Sequence, residues 1–591
     1  MMIEKSPTRF RLAPFRPKIL ESLRGYNKER LLKDLMAGLT VGVVSLSLCI
    51  GLGIASGVGP GPGLYAGIVG GFLISLFGGS RVQVGGPAGA FVGLMALMVA
   101  KYGVPNVLVC TMMAGVILIV MGLLRIGSFI RFVPQPVTAG FTCGIAITIL
   151  TTQIRPFLGL NFGVDALGAT LKEPAEFFPK MIALFKALPT VSPVTVVLGV
   201  LLFVLLLRWP KHWGKRIPAS IIAVLAGMAW VGLTHLPGLS GLGFLQVETI
   251  GSAFPNGIPQ GGLEFSWPEF DWGTINALVS PAFAIALLCA LESLLSAVVA
   301  DGLIDDRHDS NQELMGQGIA NLVTPLFGGI AVTGVIARTA TNIRAGATSP
   351  VAGMVHAAFL LLVVIVAAPL VVHIPLVALA AVLIMVAWRM GEWEEFRRLH
   401  HHEWEDSAVF LVTFGLTVCF DLTVAVKIGM LLAAILFVKR VADTTRVNTM
   451  SGDAINHSYG EDLHVPEGVI VYRIFGALLF GAADRLDNVL RRESGDIKVV
   501  ILHMASMSAM DATALDRLEN IHAKMKMHKL HLIICGAQSQ CYAMLARSGF
   551  LTEVGLENVM PDLRAAVERA RILIEEKGNP SVVEESASAT A

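Results

Sequence analysis

Four long stretches of this 591-residue chain contain no Asp, Glu, Lys or Arg: residues 36–80, 132–154, 217–247 and 345–388. A helix that crosses a bilayer needs about 20 predominantly apolar residues. The first and last stretches are each long enough for two spans joined by a hairpin. In the first, Gly57-Val58-Gly59-Pro60-Gly61-Pro62-Gly63 marks the joint, since no helix runs through such a segment.

The charges that remain are unevenly spread. Residues 36–443 hold 42 charged side chains in 408 positions, about 10%. Residues 466–575 hold 13 basic and 13 acidic in 110, about 24%, an ordinary value for a soluble domain. With a mean hydropathy of +0.68, the chain is expected to be a polytopic α-helical membrane protein with a small cytoplasmic α/β domain. The expected parts are a cytoplasmic N-terminal arm 1–35, a transmembrane region 36–443, a linker 444–465, a C-terminal domain 466–575 and a flexible tail 576–591. Disorder, collagen-like repeats and a secreted disulfide scaffold are excluded. A formal net charge of +1 gives no electrostatic case for a nucleic-acid partner.

About fourteen membrane segments are expected, two of them short and Gly-interrupted, near 87–101 and 335–345. Basic residues in short loops set the orientation. The arm 1–35 holds nine Lys/Arg, and Arg208–Arg216 holds four. The segment 237–273 holds Glu248, Glu264, Glu269 and Asp271 but no Lys or Arg. A multi-pass protein of the inner (cytoplasmic) membrane with both termini cytoplasmic satisfies this asymmetry. The first 35 residues lack an apolar core, so no cleavable signal peptide is expected. The seven cysteines form no C-x-x-C and read as buried small hydrophobes.

An enzyme would need a constellation of His, Cys or carboxylates within the spans. His356 and His373 are isolated, and His400-His401-His402 lies in a strongly charged loop that reads as a solvated face. No catalytic residue, structural metal or cofactor is expected. Ionisable residues inside spans are the stronger signal. Glu292 sits midway along the otherwise uncharged Ser280–Ala300, and Ser296, four residues on, shares its helical face. Protonated, Glu292 could carry H⁺; ionised, with Ser296 and backbone carbonyls, it could bind Na⁺. The competing reading is a structural carboxylate bonded to a neighbouring span. Asp301 falls near a helix end.

A pair of broken helices is the second signal. Gln83-Val84-Gly85-Gly86-Pro87-Ala88-Gly89-Ala90-Phe91 reads as an extended strip followed by a Pro at a helix start. Gly328-Gly329-Ile330-Ala331-Val332-Thr333-Gly334-Val335-Ile336-Ala337-Arg338 reads the same way in the second half. Gly-interrupted segments in corresponding positions of two halves point to a transporter binding site. Two facing half-helix N-termini make an anion site, and Arg338 adds a full positive charge. Close helix packing is the alternative use of such glycines.

At these residues the chain resembles the SulP family of sulfate-permease-type anion transporters. The motifs are Gly57-Val58-Gly59-Pro60 through Gly63-Leu64-Tyr65, Phe77-Gly78-Gly79-Ser80-Arg81 with Gly86-Pro87, Glu292-Ser293-Leu294-Leu295 through Ala300-Asp301-Gly302, and Ile336-Ala337-Arg338-Thr339 through Asn342-Ile343-Arg344-Ala345-Gly346. The wording is most similar to a bacterial branch that includes a C4-dicarboxylate transporter, with bicarbonate and sulfate transporters as near relatives. The resemblance implies two inverted seven-segment repeats that form core and gate domains, and elevator-type alternating access. It places the anion at the backbone N–H groups of Ala88, Gly89, Ala90, Val335 and Ile336 (with Gly334 and Arg338 adjoining) and makes Phe91 line the pocket. It gives Glu292 and Ser296 the cation-coupling role, with Na⁺ or H⁺ as the coupling ion. Members usually carry Pro-Gln in the first segment, where this chain has Ser47-Leu48. A homodimer in the lipid bilayer is implied.

In the C-terminal domain, Gly468–Ile474, Val499–Leu502 and Leu530–Ile534 read as strands, and Ala483–Arg492, Ala512–Lys526 and Ser539–Ser548 as helices. The alternation predicts an α/β sheet and resembles a STAS domain. That resemblance makes Asp511 and Thr513 a regulatory pair, with Thr513 at the phosphoacceptor position, and makes a cytoplasmic regulator a possible partner. Read from the residues, Asp511 caps the following helix. The function expected is secondary active transport of sulfate, bicarbonate or a C4-dicarboxylate, coupled to H⁺ or Na⁺. An uncoupled exchanger or channel, and a membrane sensor that signals through the C-terminal domain, are the alternatives.

Overall fold

The computed structural model describes residues 12–128, 134–163, 173–174, 176–210, 218–234, 245–255, 263–268, 272–401, 403–420, 422–450, 463–479 and 497–578. The helix expected at 483–492, together with Glu269, Asp271 and His402, lies outside these residues. The chain divides into two compact units, Met1–Leu431 and Leu432–Ala591.

The first unit is a bundle of apolar helices. Among the described residues, seven are long and apolar enough to cross a membrane, and eight if the bent pair Phe177–Thr190 and Pro193–Arg208 is one span. Much of the difference from about fourteen segments has two sources. Ala219–Thr234, Ser310–Val323, Ile336–Arg344 and Trp404–Cys419 are each under 18 residues. In addition, Gly89–Leu123 is one element only by continuity. It turns sharply at Gly103, whose φ of 77° and ψ of 163° are open to glycine and costly for other residues.

Small residues let the helices approach. On Lys28–Ala55, a Cβ at Gly38 would lie 2.7 Å from Val355 Cβ on Val351–Val371. At the contact between Gly89–Leu123 and Ser310–Val323, a Cβ at Gly115 would lie 2.7 Å from both the Gly318 oxygen and the Leu322 nitrogen. Backbone atoms cannot rotate away, so glycine there sets the interhelical distance.

The two broken helices meet in the interior. Their strips form a two-stranded antiparallel ladder, β1 (Gly85–Gly86) with β2 (Thr333–Gly334), in the register Gly85↔Gly334 and Gly86↔Thr333. Beyond β1, a 3₁₀ turn Gly89–Phe91 leads into the helix that begins at Val92. The turn thus begins two residues past Pro87, which remains in the extended strip rather than at the helix start. Beyond β2, Ile336–Arg344 starts directly after Val335.

Helix Ser310–Val323 holds the second strip and the segment that leads into the first. Its Glu313, Gln317 and Asn321 recur at every fourth position, share one face and are all fully buried. Glu313 accepts from the Gly79 N–H at 2.8 Å and from Gln317 Nε2 at 2.6 Å. Asn321 accepts from the Val332 N–H at 2.9 Å and donates to the Val332 carbonyl at 2.8 Å. Backbone polar groups in an apolar interior need such partners.

The second unit is an α/β domain. β3 (Arg446–Thr449), β4 (Val469–Leu478), β5 (Val499–His503), β7 (His531–Cys535) and β8 (Val559–Met560) lie side by side in that order, and β6 (Met507–Met510) pairs with the far end of β4. All pairs are parallel except β3–β4. Alternation sends Leu502 and Ile534 to one face, with Leu518 and Leu545 of helices Ala512–Met527 and Ser539–Ser548. Ile501 and Ile533 go to the other, against Val567 and Ala570 of helix Leu563–Gly578.

Replacing Asn321 with Ala strands the Val332 amide and leaves the Val332 carbonyl only the weak Cys289 thiol donor at 3.2 Å. One buried orphan should cost about 1–3 kcal/mol. The expected outcome is a clear fall in melting temperature of the purified protein, measured by scanning fluorimetry in detergent, with a smaller fall for Asn321→Asp.

Candidate anion site

The site is built where the two half-helices start. Past the ladder, the Val335 N–H donates to the Val84 carbonyl at 3.0 Å. That amide is committed to the pairing and unavailable to a ligand, which corrects the expectation that it contacts the anion. Ile336, Ala337 and Arg338 open their helix, and Gly89 and Ala90 open the other. Helix-initiating N–H groups lack intrahelical acceptors. Gly89 and Val335 are partly exposed, and Ile336 is exposed. Ala88 and Ala90 are buried beside them. Phe91 is wholly buried within the main apolar core of the bundle; the structure places it behind the strip rather than on an open surface. A side chain on Gly334 would collide with the Gln83 amide.

Arg338 is 1% exposed. Its Nη2 donates to the Pro87 carbonyl at 3.2 Å, so it ties the second half-helix to the entry of the first. Its Nε and Nη1 have no hydrogen-bond partner among the described residues. Gly86 leaves room for it, since a Cβ there would overlap Nη1. A buried guanidinium with two open donors is costly unless an anion completes it.

The long helix Trp272–Ile304 runs behind both strips and touches them one turn after another. The Cys289 carbonyl accepts from Thr333 Oγ1 at 3.0 Å, and the Ser293 carbonyl accepts from Gln83 Nε2 at 3.0 Å. Ser296 Oγ donates to Thr339 Oγ1 at 3.2 Å, and the same Thr339 oxygen accepts from the Val84 N–H at 3.1 Å. Glu292 therefore lies one turn from both Cys289 and Ser296 on this face. Its side chain is half-buried, and among the described residues it has no hydrogen bond or ion pair. Ser47 bonds back to its own helix at the Val44 carbonyl. Asp301 is a helix-end charge paired with His308 Nδ1 at 2.6 Å.

A cavity of about 380 Å³ opens beside Ala90. Gly93, Thr148 and Thr151 line it on one side, and Lys180 and Thr417 on another. Thr339, Gln83 and the Glu313-Gln317-Asn321 row were not singled out from sequence. The four-residue spacing of that row was the available signal, because three polar side chains on one face of a helix within an apolar region must be satisfied somewhere.

In the second unit, Asp511 caps helix Ala512–Met527 by accepting from the Ala514 N–H at 2.8 Å. Thr513 is exposed on the first turn. Both cysteines of this unit, Cys535 and Cys541, are buried, and burial pushes the Cys535 thiol up to about 12, as expected of packed, unreactive thiols.

Known proteins resemble this chain over most of its length. Residues 31–413 match the model of the sulfate permease family, and residues 462–566 match the STAS domain. A putative sulfate transporter of Bacillus subtilis, YvdB, is 40% identical over 536 residues, which is 90% of this chain and 97% of that protein. The bicarbonate transporter BicA of Picosynechococcus is 28% identical over 91% of this chain and 94% of its own length. The solved transmembrane domain of a cyanobacterial BicA superposes with a TM-score of 0.58, covering 69% of this chain and 98% of that one. Murine Slc26a9 in the inward-facing state, at 16% identity, shares the fold with a TM-score of 0.82 over 96% of this chain and 97% of its own. The paired half-helices, the buried arginine between them and the C-terminal α/β unit thus belong to a member of the sulfate permease family with a C-terminal STAS domain.

Proposed function

We propose that this protein is a secondary active transporter of a small anion, coupled to a cation at Glu292. One observation carries the reading: the ladder brings two half-helix N-termini together around a buried Arg338 with two open donors. This positive focus suits an oxyanion such as sulfate, bicarbonate or a C4-dicarboxylate. The sulfate and bicarbonate transporters among its relatives support the first two.

Glu292 supplies the coupling. Its helix carries Ser296, whose hydroxyl bonds Thr339 within the first turns of the Arg338 helix. A proton or Na⁺ on Glu292 neutralises a carboxylate that otherwise opposes the anion's charge, so the two ions favour each other's binding. The cavity beside Ala90 gives the anion a route, and movement of the half-helix pair relative to the helices opposite it would carry the site between the two faces, an elevator-type step.

Two outcomes test this in proteoliposomes with sulfate, bicarbonate and succinate, at two pH values, with and without Na⁺. Glu292→Gln should abolish uphill accumulation while exchange at equal concentrations persists; unchanged uphill uptake would remove Glu292 from the coupling role. Arg338→Ala should weaken anion affinity about 10- to 100-fold, the worth of a charge-assisted contact. Unchanged affinity would leave the helix termini as the whole source of the field.

A further inference from the structure

The C-terminal unit carries a second cavity, of about 370 Å³, at the end of its sheet remote from Asp511 and Thr513. Thr513 and Lys526 stand thirteen residues apart on one helix, roughly 20 Å along its axis. The cavity therefore has no part in the regulatory pair. Leu530, Leu532 and Val554 give it apolar walls. Its remaining lining is largely basic: Lys526, Lys529, His522 and His531.

His522 is the telling group. It is 7% exposed, and neither ring nitrogen has a hydrogen-bond partner among the described residues. One edge rests against Phe550, with centroids 5.6 Å apart at 87°. A buried imidazole normally finds a partner. Asn558, also on the wall, is already committed: it donates to the Val554 carbonyl at 2.8 Å and accepts from Arg569 Nε at 3.0 Å. Lys526 in the last helical turn complements the helix dipole. That does not account for the unpartnered ring nitrogens of His522.

We propose that this cavity binds a small phosphate-bearing molecule. The phosphate lies between the ammonium groups of Lys526 and Lys529 and the ring of His522, and an uncharged body rests on Leu530, Leu532 and Val554. A terminal phosphate presents three acceptor oxygens and up to two negative charges, which suits converging ammonium point charges and an imidazole donor. The volume lies within the usual range for small-ligand sites. Glu553, the acidic residue on the lining, repels a second anionic group, so a single phosphate on a neutral body fits best.

Hydrogen–deuterium exchange of the purified full-length protein tests this, with phenyl phosphate as probe and phenol as its uncharged control. Phenyl phosphate should slow exchange in peptides covering 521–532 and 550–558, and phenol should not. The double variant Lys526→Gln/Lys529→Gln, altered at exposed positions, should need about tenfold more probe for half-protection. Thr513→Ala should bind as the parent does. The proposal fails if the parent shows no protection at about 10 mM probe, where even a 1 mM site is mostly filled. It fails equally if phenol protects as well as phenyl phosphate, or if the double variant matches the parent. Protection confined to 83–91 and 333–339 would also overturn it, because the probe would then occupy only the membrane-unit site.

Discussion

The membrane unit depends on one requirement: extended backbone in an apolar interior must find hydrogen-bond partners inside the protein. Two helices stop short of the middle of the bundle, and their strips cannot satisfy themselves. They satisfy each other through Gly85↔Gly334 and Gly86↔Thr333. Asn321 closes both polar groups of Val332, and Thr339 takes the Val84 amide. Once these bonds are made, open donors remain at the helix starts and on Arg338, so satisfying the backbone also creates the proposed anion site.

Arginine suits the position between the strips for a geometric reason. Its planar fork can spend one Nη2 N–H on the Pro87 carbonyl and leave Nε and Nη1 open. Lysine would keep the charge but lose the fixed fork, so the structural tie and the open donors would compete for one ammonium. The glycine at 86 is part of the same design, since any side chain there would occupy the space of the guanidinium.

Much of this was legible in the chain. The Gly-rich strips announced broken helices, and Glu292 stood out because it interrupts a long uncharged run. The α/β order of the C-terminal unit followed from strand and helix periodicity, and the Asp511 cap from its place before an amphipathic helix. What the residues could not announce was which backbone group meets which. Val335 looked like a free helix-start donor, but its amide is spent on a strand partner more than 250 positions away. The family resemblance made Phe91 a pocket wall, yet after the 3₁₀ turn its side chain lies in the apolar core. The Glu313-Gln317-Asn321 row was visible as a spacing, but its meaning depends on strips supplied by two other segments. Local pattern fixes where an element breaks; the partner that repairs the break is a tertiary fact.

The placement of Glu292 supplies the physical basis of the coupling we propose. A carboxylate near a positive focus would attract Arg338 and compete with a ligand for it. Among the described residues Glu292 forms no ion pair, so Arg338 is left to the Pro87 carbonyl and its open donors. In the coupling we propose, the carboxylate acts on the site through the electrostatic field and through the Ser296–Thr339 bond rather than by occupying it. An anion at Arg338 alone would put a like charge near the carboxylate, and neutralising the carboxylate alone would leave the positive focus unbalanced. The lowest-cost states would then be both ions bound or neither, and in an interior of low effective dielectric the difference between paired and unpaired charge is large. Such a difference would let one ion's gradient drive the other without contact between the two ions.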